Sequence, residues 1–97
     1  MIKHIVAFKL KGSEEQRLEA ATAFKAALMA LPWKIECLRS MEVGLNENPN
    51  EHWDVVLTAI VDNFEDLDKD ASHPLHVAAA AIIKDLKEDR ACVDYEI

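Results

Sequence analysis

The chain has four histidines, at positions 4, 52, 73 and 76, and two of them bracket a proline in the stretch ASHPLHV, residues 71–77. His76 opens a helical stripe that continues through Ala79 or Ala80 to Ile83 and Leu86, so its ring is expected to point inward. His4 shares a strand face with Val6 and Phe8, which turns it toward the same interior. The alanines of VAAAAII, residues 77–83, leave space beside them. Two imidazoles meeting in a mostly apolar pocket suit proton transfer, because the unperturbed imidazole pKa of about 6.5 lies near working pH and burial favours the neutral, basic form. The chemistry expected is proton abstraction beside a carbonyl. His76 is the general base, His4 orients it or holds a substrate oxygen, and Asp70 hydrogen-bonds one ring. The ligand is a small hydrophobic or carbonyl compound, and neither metal nor cofactor is required. The competing reading is structural: a buried histidine whose two nitrogens are bonded to backbone groups only fills the core. His73, just before Pro74, reads as a helix cap, and His52, in a polar loop, as exposed.

Other chemistries find less support. Cys37 and Cys92 are far apart, and neither has a Cys or His nearby at metal-ligand spacing, so free thiols and no zinc site are expected. The glycines Gly12 and Gly44 are isolated and mark turns. The run EDLDKD, residues 65–70, reads as a solvated helix face, Tyr95 as core packing or else a residue of the pocket or interface, Trp53 as a strand-end anchor and Trp33 as a rim residue. A net charge of −7 repels phosphate and argues against a nucleic-acid partner. No apolar run approaches the ~20 residues of a membrane span, and the N-terminal MIKHIVAFKLKG lacks a cleavable signal pattern, so a cytoplasmic protein without a membrane partner is expected.

The elements that must position these groups fit one domain of 97 residues. Alternation predicts a strand over 2–10. Ser13 followed by Gln16 predicts a capping box, and Leu18, Ala21, Phe24, Leu28 and Leu31 form the apolar stripe of the helix it opens, which Pro32 stops. A second strand is expected over 35–44, with an ambiguous face because Leu38 and Met41 differ in parity. A third is expected over 53–62, followed by a short helix capped by Asn63, a second helical piece from Pro74 through residue 88, and a closing strand over about 90–97. The order β-α-β-β-α-β, with its last helix broken at His73-Pro74, is the ferredoxin-like α+β arrangement: a four-stranded antiparallel sheet with helices on one face.

The first and third strands are apolar on both faces. Ile2, Val6, Phe8 and Leu10 face the helices, as do Val55, Leu57, Ala59 and Val61. The opposite face carries Ile5, Ala7, Val56, Thr58 and Ile60, flanked by Lys3, Lys9, Asp54 and Asp62. An apolar centre with a charged rim is the composition of a protein interface. Burying ~500 Å² of it at roughly 25 cal/mol per Å² yields on the order of 12 kcal/mol before association costs. A second copy packed sheet to sheet about a two-fold axis is the expected cover.

The segments MIKHIVAFKLK, PWKIECLRSMEVG, ASHPLHV and DRACVDYEI together resemble the stress-responsive dimeric α/β barrel (Dabb) domain, over nearly the whole chain. The resemblance implies a homodimer whose two sheets form a barrel. It covers small dimers, some linked to stress, and a plant branch that cyclises polyketides without metal or cofactor; other small ferredoxin-like dimers include cofactor-free monooxygenases. This sequence departs from the pattern at Trp33 and Glu36-Cys37, in a loop. Asp70 stands where the cyclising members carry a tyrosine, and Val55 where they carry a polar side chain. The function expected is cofactor-independent lyase, cyclase or isomerase chemistry using His76. The alternative is a non-catalytic stress-associated or ligand-sequestering dimer, and a cofactor-free oxygenase comes third.

Overall fold

The computed structural model describes residues 1–97. Its elements are β1 (Ile2–Leu10), α1 (Glu14–Met29), a 3-10 turn (Leu31–Trp33), β2 (Leu38–Leu45), β3 (Val55–Val61), α2 (Phe64–Ser72), α3 (Pro74–Ala81) and β4 (Lys87–Glu96). The strands form one antiparallel sheet in the order β2-β3-β1-β4, with the helices on one face. This is the ferredoxin-like α+β fold that the element order predicts.

Local chemistry sets the helix starts. The Gln16 N–H donates to Ser13 Oγ (3.1 Å) while the Ser13 N–H donates to Gln16 Oε1 (3.0 Å), so two orphan donors at the mouth of α1 are satisfied reciprocally. Gly12 precedes them at φ +109°, a conformation that strains a side chain, and a Cβ there meets Gln16 Oε1 at 2.8 Å. Asn63 Oδ1 accepts from the Asp66 N–H (2.8 Å) and caps α2. His73 is at once the last cap of α2 and the first of α3: its Nδ1 accepts from the Leu75 N–H (3.1 Å), the capping role read from its place before Pro74.

The core lies between sheet and helices. Val6, Phe8 and Leu10 of β1 and Val55, Leu57, Ala59 and Val61 of β3 meet Ala21, Phe24 and Leu28 of α1. Phe8 and Phe24 stack edge to face, with ring centroids 5.5 Å apart. Leu18 departs from the expected stripe. It is 59% exposed and lines a cleft of about 650 Å³ between the first turns of α1, the ends of β1 and β2 at Leu10 and Leu45, and the β2–β3 loop.

Three boundaries differ from the sequence reading by three residues or more. β2 begins at Leu38, and a register shift between Leu38 and Ser40 puts both Leu38 and Met41 on the buried face, which removes their parity conflict. α3 ends at Ala81: Ile82, Ile83 and Lys84 each donate to the carbonyl three residues back, so the chain tightens out of the helix. β4 starts at Lys87 because it pairs along the whole of β1, from Ile2↔Glu96 to Leu10↔Lys87.

The opposite sheet face is open and apolar at its centre. Ladder partners share a face, so Ile5 aligns with Val93 and Thr58, Ala7 with Ala91 and Val56, and Lys3 with Tyr95 and Ile60. Val93 is 61% exposed there. Tyr95 also lies on this face, half exposed, and is not a core residue: its side of β4 points away from the helices, so it has nothing to pack beneath.

Candidate functional site

The site starts from the break between α2 and α3. In one continuous helix, residues 70 and 76 stand ~9 Å apart along the axis and on different sides. Pro74 interrupts the helix after His73, whose φ of −62° and ψ of 135° redirect the chain. Asp70 Oδ2 then comes to 4.0 Å from His76 Nε2. This is an ion-pair separation and too long for a hydrogen bond, so the tautomer-fixing bond expected of Asp70 is absent.

Asp70 is the exception in its charge run. The face that carries Leu67 into the core carries Asp70 three residues later, and Asp70 is only 2% exposed. Its Oδ1 is buried with no hydrogen-bond partner. Burial pushes its carboxyl above the ordinary carboxylate range, while positive charge on His76, His4 and His73 opposes the rise. The neighbouring Cys37 thiol donates weakly to the Asp66 carbonyl (3.4 Å) and is pushed up first by burial and then by the charges of Asp70 and Asp66.

His4 points to the helix side, as its strand parity predicts, but its partner is not His76. Its Nδ1 is hydrogen-bonded to Asp94 Oδ1 on β4, directly across the ladder, and Cys92 Sγ lies 3.6 Å from the same nitrogen. Sequence reasoning missed Cys92 and Asp94: they are 88 and 90 residues from His4, and only the β1–β4 register joins them. The signal was their spacing of two on a strand, which puts both on one face. Both cluster contacts reach the same imidazole nitrogen, so the group is no Cys-His-Asp nucleophile relay, which uses both ring nitrogens. Burial and then Asp94 push the Cys92 thiol up, the opposite of activation.

The remaining candidates scatter. His52 is exposed in the β2–β3 loop and Trp53 half-buried beside it; both line the cleft of about 650 Å³ under α1. Trp33 is exposed on the 3-10 turn. A smaller cleft of about 250 Å³ lies between α1 and α3, lined by Ala27, Leu31, Leu75 and Ala79. Neither cleft is lined by His76, His4 or Asp70.

Fold and site together define a class: a ferredoxin-like domain with a polar cluster at the α2–α3 break and an open apolar sheet face. Residues 2–97 match the model of the family described as the Stress responsive A/B Barrel Domain, and the chain belongs to that family. A dimeric ferredoxin-like protein of unknown function from Bacteroides fragilis is similar at 49% identity and a TM-score of 0.96, over 99% of this chain and 95% of its own. Another, from Thermobifida fusca, is 25% identical with a TM-score of 0.78, over 99% of this chain and 90% of its own. A third, from Jannaschia sp. CCS1, shares the fold at 20% identity and a TM-score of 0.82, over 99% of this chain and 98% of its own. No curated protein matches. No helix is long and apolar enough to cross a membrane.

Proposed function

We propose that the protein is a homodimer, closed through the open sheet face, that binds a small carbonyl compound in the layer between helices and sheet and moves a proton on it with His76. The dimer is supported by the apolar centre of that face and by the dimeric protein 49% identical to this one. The observation that carries the site is Asp70. A buried carboxylate with an unpartnered oxygen is expensive to keep, and such groups concentrate where chemistry or binding repays them. Beside it, His76 takes the proton from carbon next to the ligand's carbonyl. The Asp70 carboxylate stabilises the imidazolium that forms, and the proton returns to product from the same ring. His4, hydrogen-bonded to Asp94 across the ladder, takes no part in the proton transfer.

A second reading has its own support. His73 is occupied as a cap and His4 by Asp94, as expected of structural histidines in a dimer that sequesters a ligand without transforming it.

The test is a thermal-shift screen of small phenols, polyketide-like acids and sugar acids against the native chain, His76→Ala and His76→Gln. The proposal expects a compound that raises the native Tm and loses that shift in both folded variants. It fails if every active compound shifts the variants equally. Turnover of such a compound by the native chain separates the catalytic reading from the sequestering one.

A further inference from the structure

We propose that His4, Cys92 and Asp94 form a binding site for a divalent transition-metal ion of the zinc type, on the helix side of the β1–β4 ladder. The three side chains offer an imidazole nitrogen, a sulfur and a carboxylate oxygen, the donor set that borderline cations such as Zn²⁺ prefer over Mg²⁺ or Ca²⁺. Their ligand atoms all lie within 4.8 Å of one another. Cys92 Sγ is 3.6 Å from His4 Nδ1 and 3.7 Å from Asp94 Oδ2. Zinc–sulfur bonds of about 2.3 Å and zinc–nitrogen or zinc–oxygen bonds of about 2.0 Å at a tetrahedral angle put such pairs about 3.5 Å apart, so both sulfur spacings already fit. The His4–Asp94 pair stands closer, in direct hydrogen bond, and the ion enters by parting it.

The sheet supplies the convergence. Cys92 and Asp94, two apart on β4, share one face, and His4 lies opposite Asp94 in the ladder. All three are thus fixed by backbone pairing between two strands. With the His4 side chain 15% exposed and that of Asp94 27%, the ion is reachable from solvent. Three protein ligands leave a fourth position for water or a ligand atom, the pattern of an open site. Bound there, the ion clips the edge strand β4 to β1. The site uses neither Asp70 nor His76, so it stands or falls apart from the function proposed above.

The experiment titrates the chelator-treated full chain with Co²⁺ and then displaces it with Zn²⁺. The expected result is the visible d–d absorption of a tetrahedral cobalt centre together with a thiolate-to-cobalt charge-transfer band, both abolished by one equivalent of Zn²⁺. Cys92→Ser is expected to lose the charge-transfer band. Asp94→Asn, on an exposed edge strand, is expected to fold and to bind more weakly by roughly 10–100-fold or more, at least the penalty of a lost supporting partner. His76→Ala and Cys37→Ser are expected to leave the titration unchanged. Absence of the cobalt spectrum at millimolar Co²⁺, a charge-transfer band that survives Cys92→Ser, or binding that Asp94→Asn leaves intact overturns the proposal. So does loss of binding in a folded His76→Ala or Cys37→Ser protein.

Discussion

Asp70 concentrates the physical tension of the molecule. It occupies an apolar position on α2, loses water, and gains in return only an ion-pair partner at 4.0 Å. Its carboxyl is raised above the ordinary range by burial, so the folded state holds the Asp70 proton more tightly than the unfolded state does. Stability from this group is therefore full below the unfolded carboxylate pKa of about 4 and is lost as pH rises through the higher folded value. The groups facing it are His76, His4, His73 and the Cys37 thiol. Asp70→Asn removes the charge. The variant is expected to gain on the native chain as pH rises from about 4 to neutrality, reaching about 1–2 kcal/mol, the scale of an unsatisfied buried polar group. Denaturant unfolding of both proteins across that range measures it. A variant less stable at every pH identifies Asp70 as a satisfied structural group and removes the support it lends to the site. The same substitution is expected to lower any turnover, because the His76 imidazolium loses its counter-charge.

At the scale of elements, the junction at His73-Pro74 converts two short helices into one site. His73→Ala is expected to cost about 1 kcal/mol by removing the shared cap, and His73→Asn, a better capping residue, to restore it; chemical denaturation reads both. Ser13→Ala is expected to cost a similar ~1 kcal/mol at α1, because its capping box is complete. Neither change is expected to alter ligand binding, and a His73 variant that folds well but loses it would move His73 into the site. What was readable in the sequence follows the same physics. The capping residues, the β1 and β3 faces and the helix break are local patterns, and they appear where the residues put them. The face of β2 was not readable, because its register shift depends on the partner strand. The start of β4 was not readable either, since Lys87–Asp89 are polar and join the sheet only because β1 is long enough to pair with them. The Asp70–His76 approach was half legible: the residues could be named, but their separation depends on how sharply the chain turns at Pro74. The His4–Cys92–Asp94 cluster depends wholly on long-range register, so sequence spacing gave a negative answer there.

At the scale of the whole molecule, one sheet serves two purposes. Its helix face holds the core and the polar cluster, and its other face presents Ile5, Val56, Ile60 and Val93 with nothing in the chain left to cover them. Val93→Asp puts a charge on that apolar face, beside Ile5, and is expected to weaken self-association by roughly 100-fold or more, since an unpaired charge buried at an interface costs about 3–5 kcal/mol. The exposed position should leave the protomer fold intact by circular dichroism. Sedimentation equilibrium of the native chain from nanomolar to micromolar concentration tests the central claim most directly. A dimer of twice the 10.9 kDa chain mass at micromolar concentration, dissociating in the Val93→Asp variant, is the result expected. A native chain that sediments as a monomer throughout, with its open face wetted, contradicts the account.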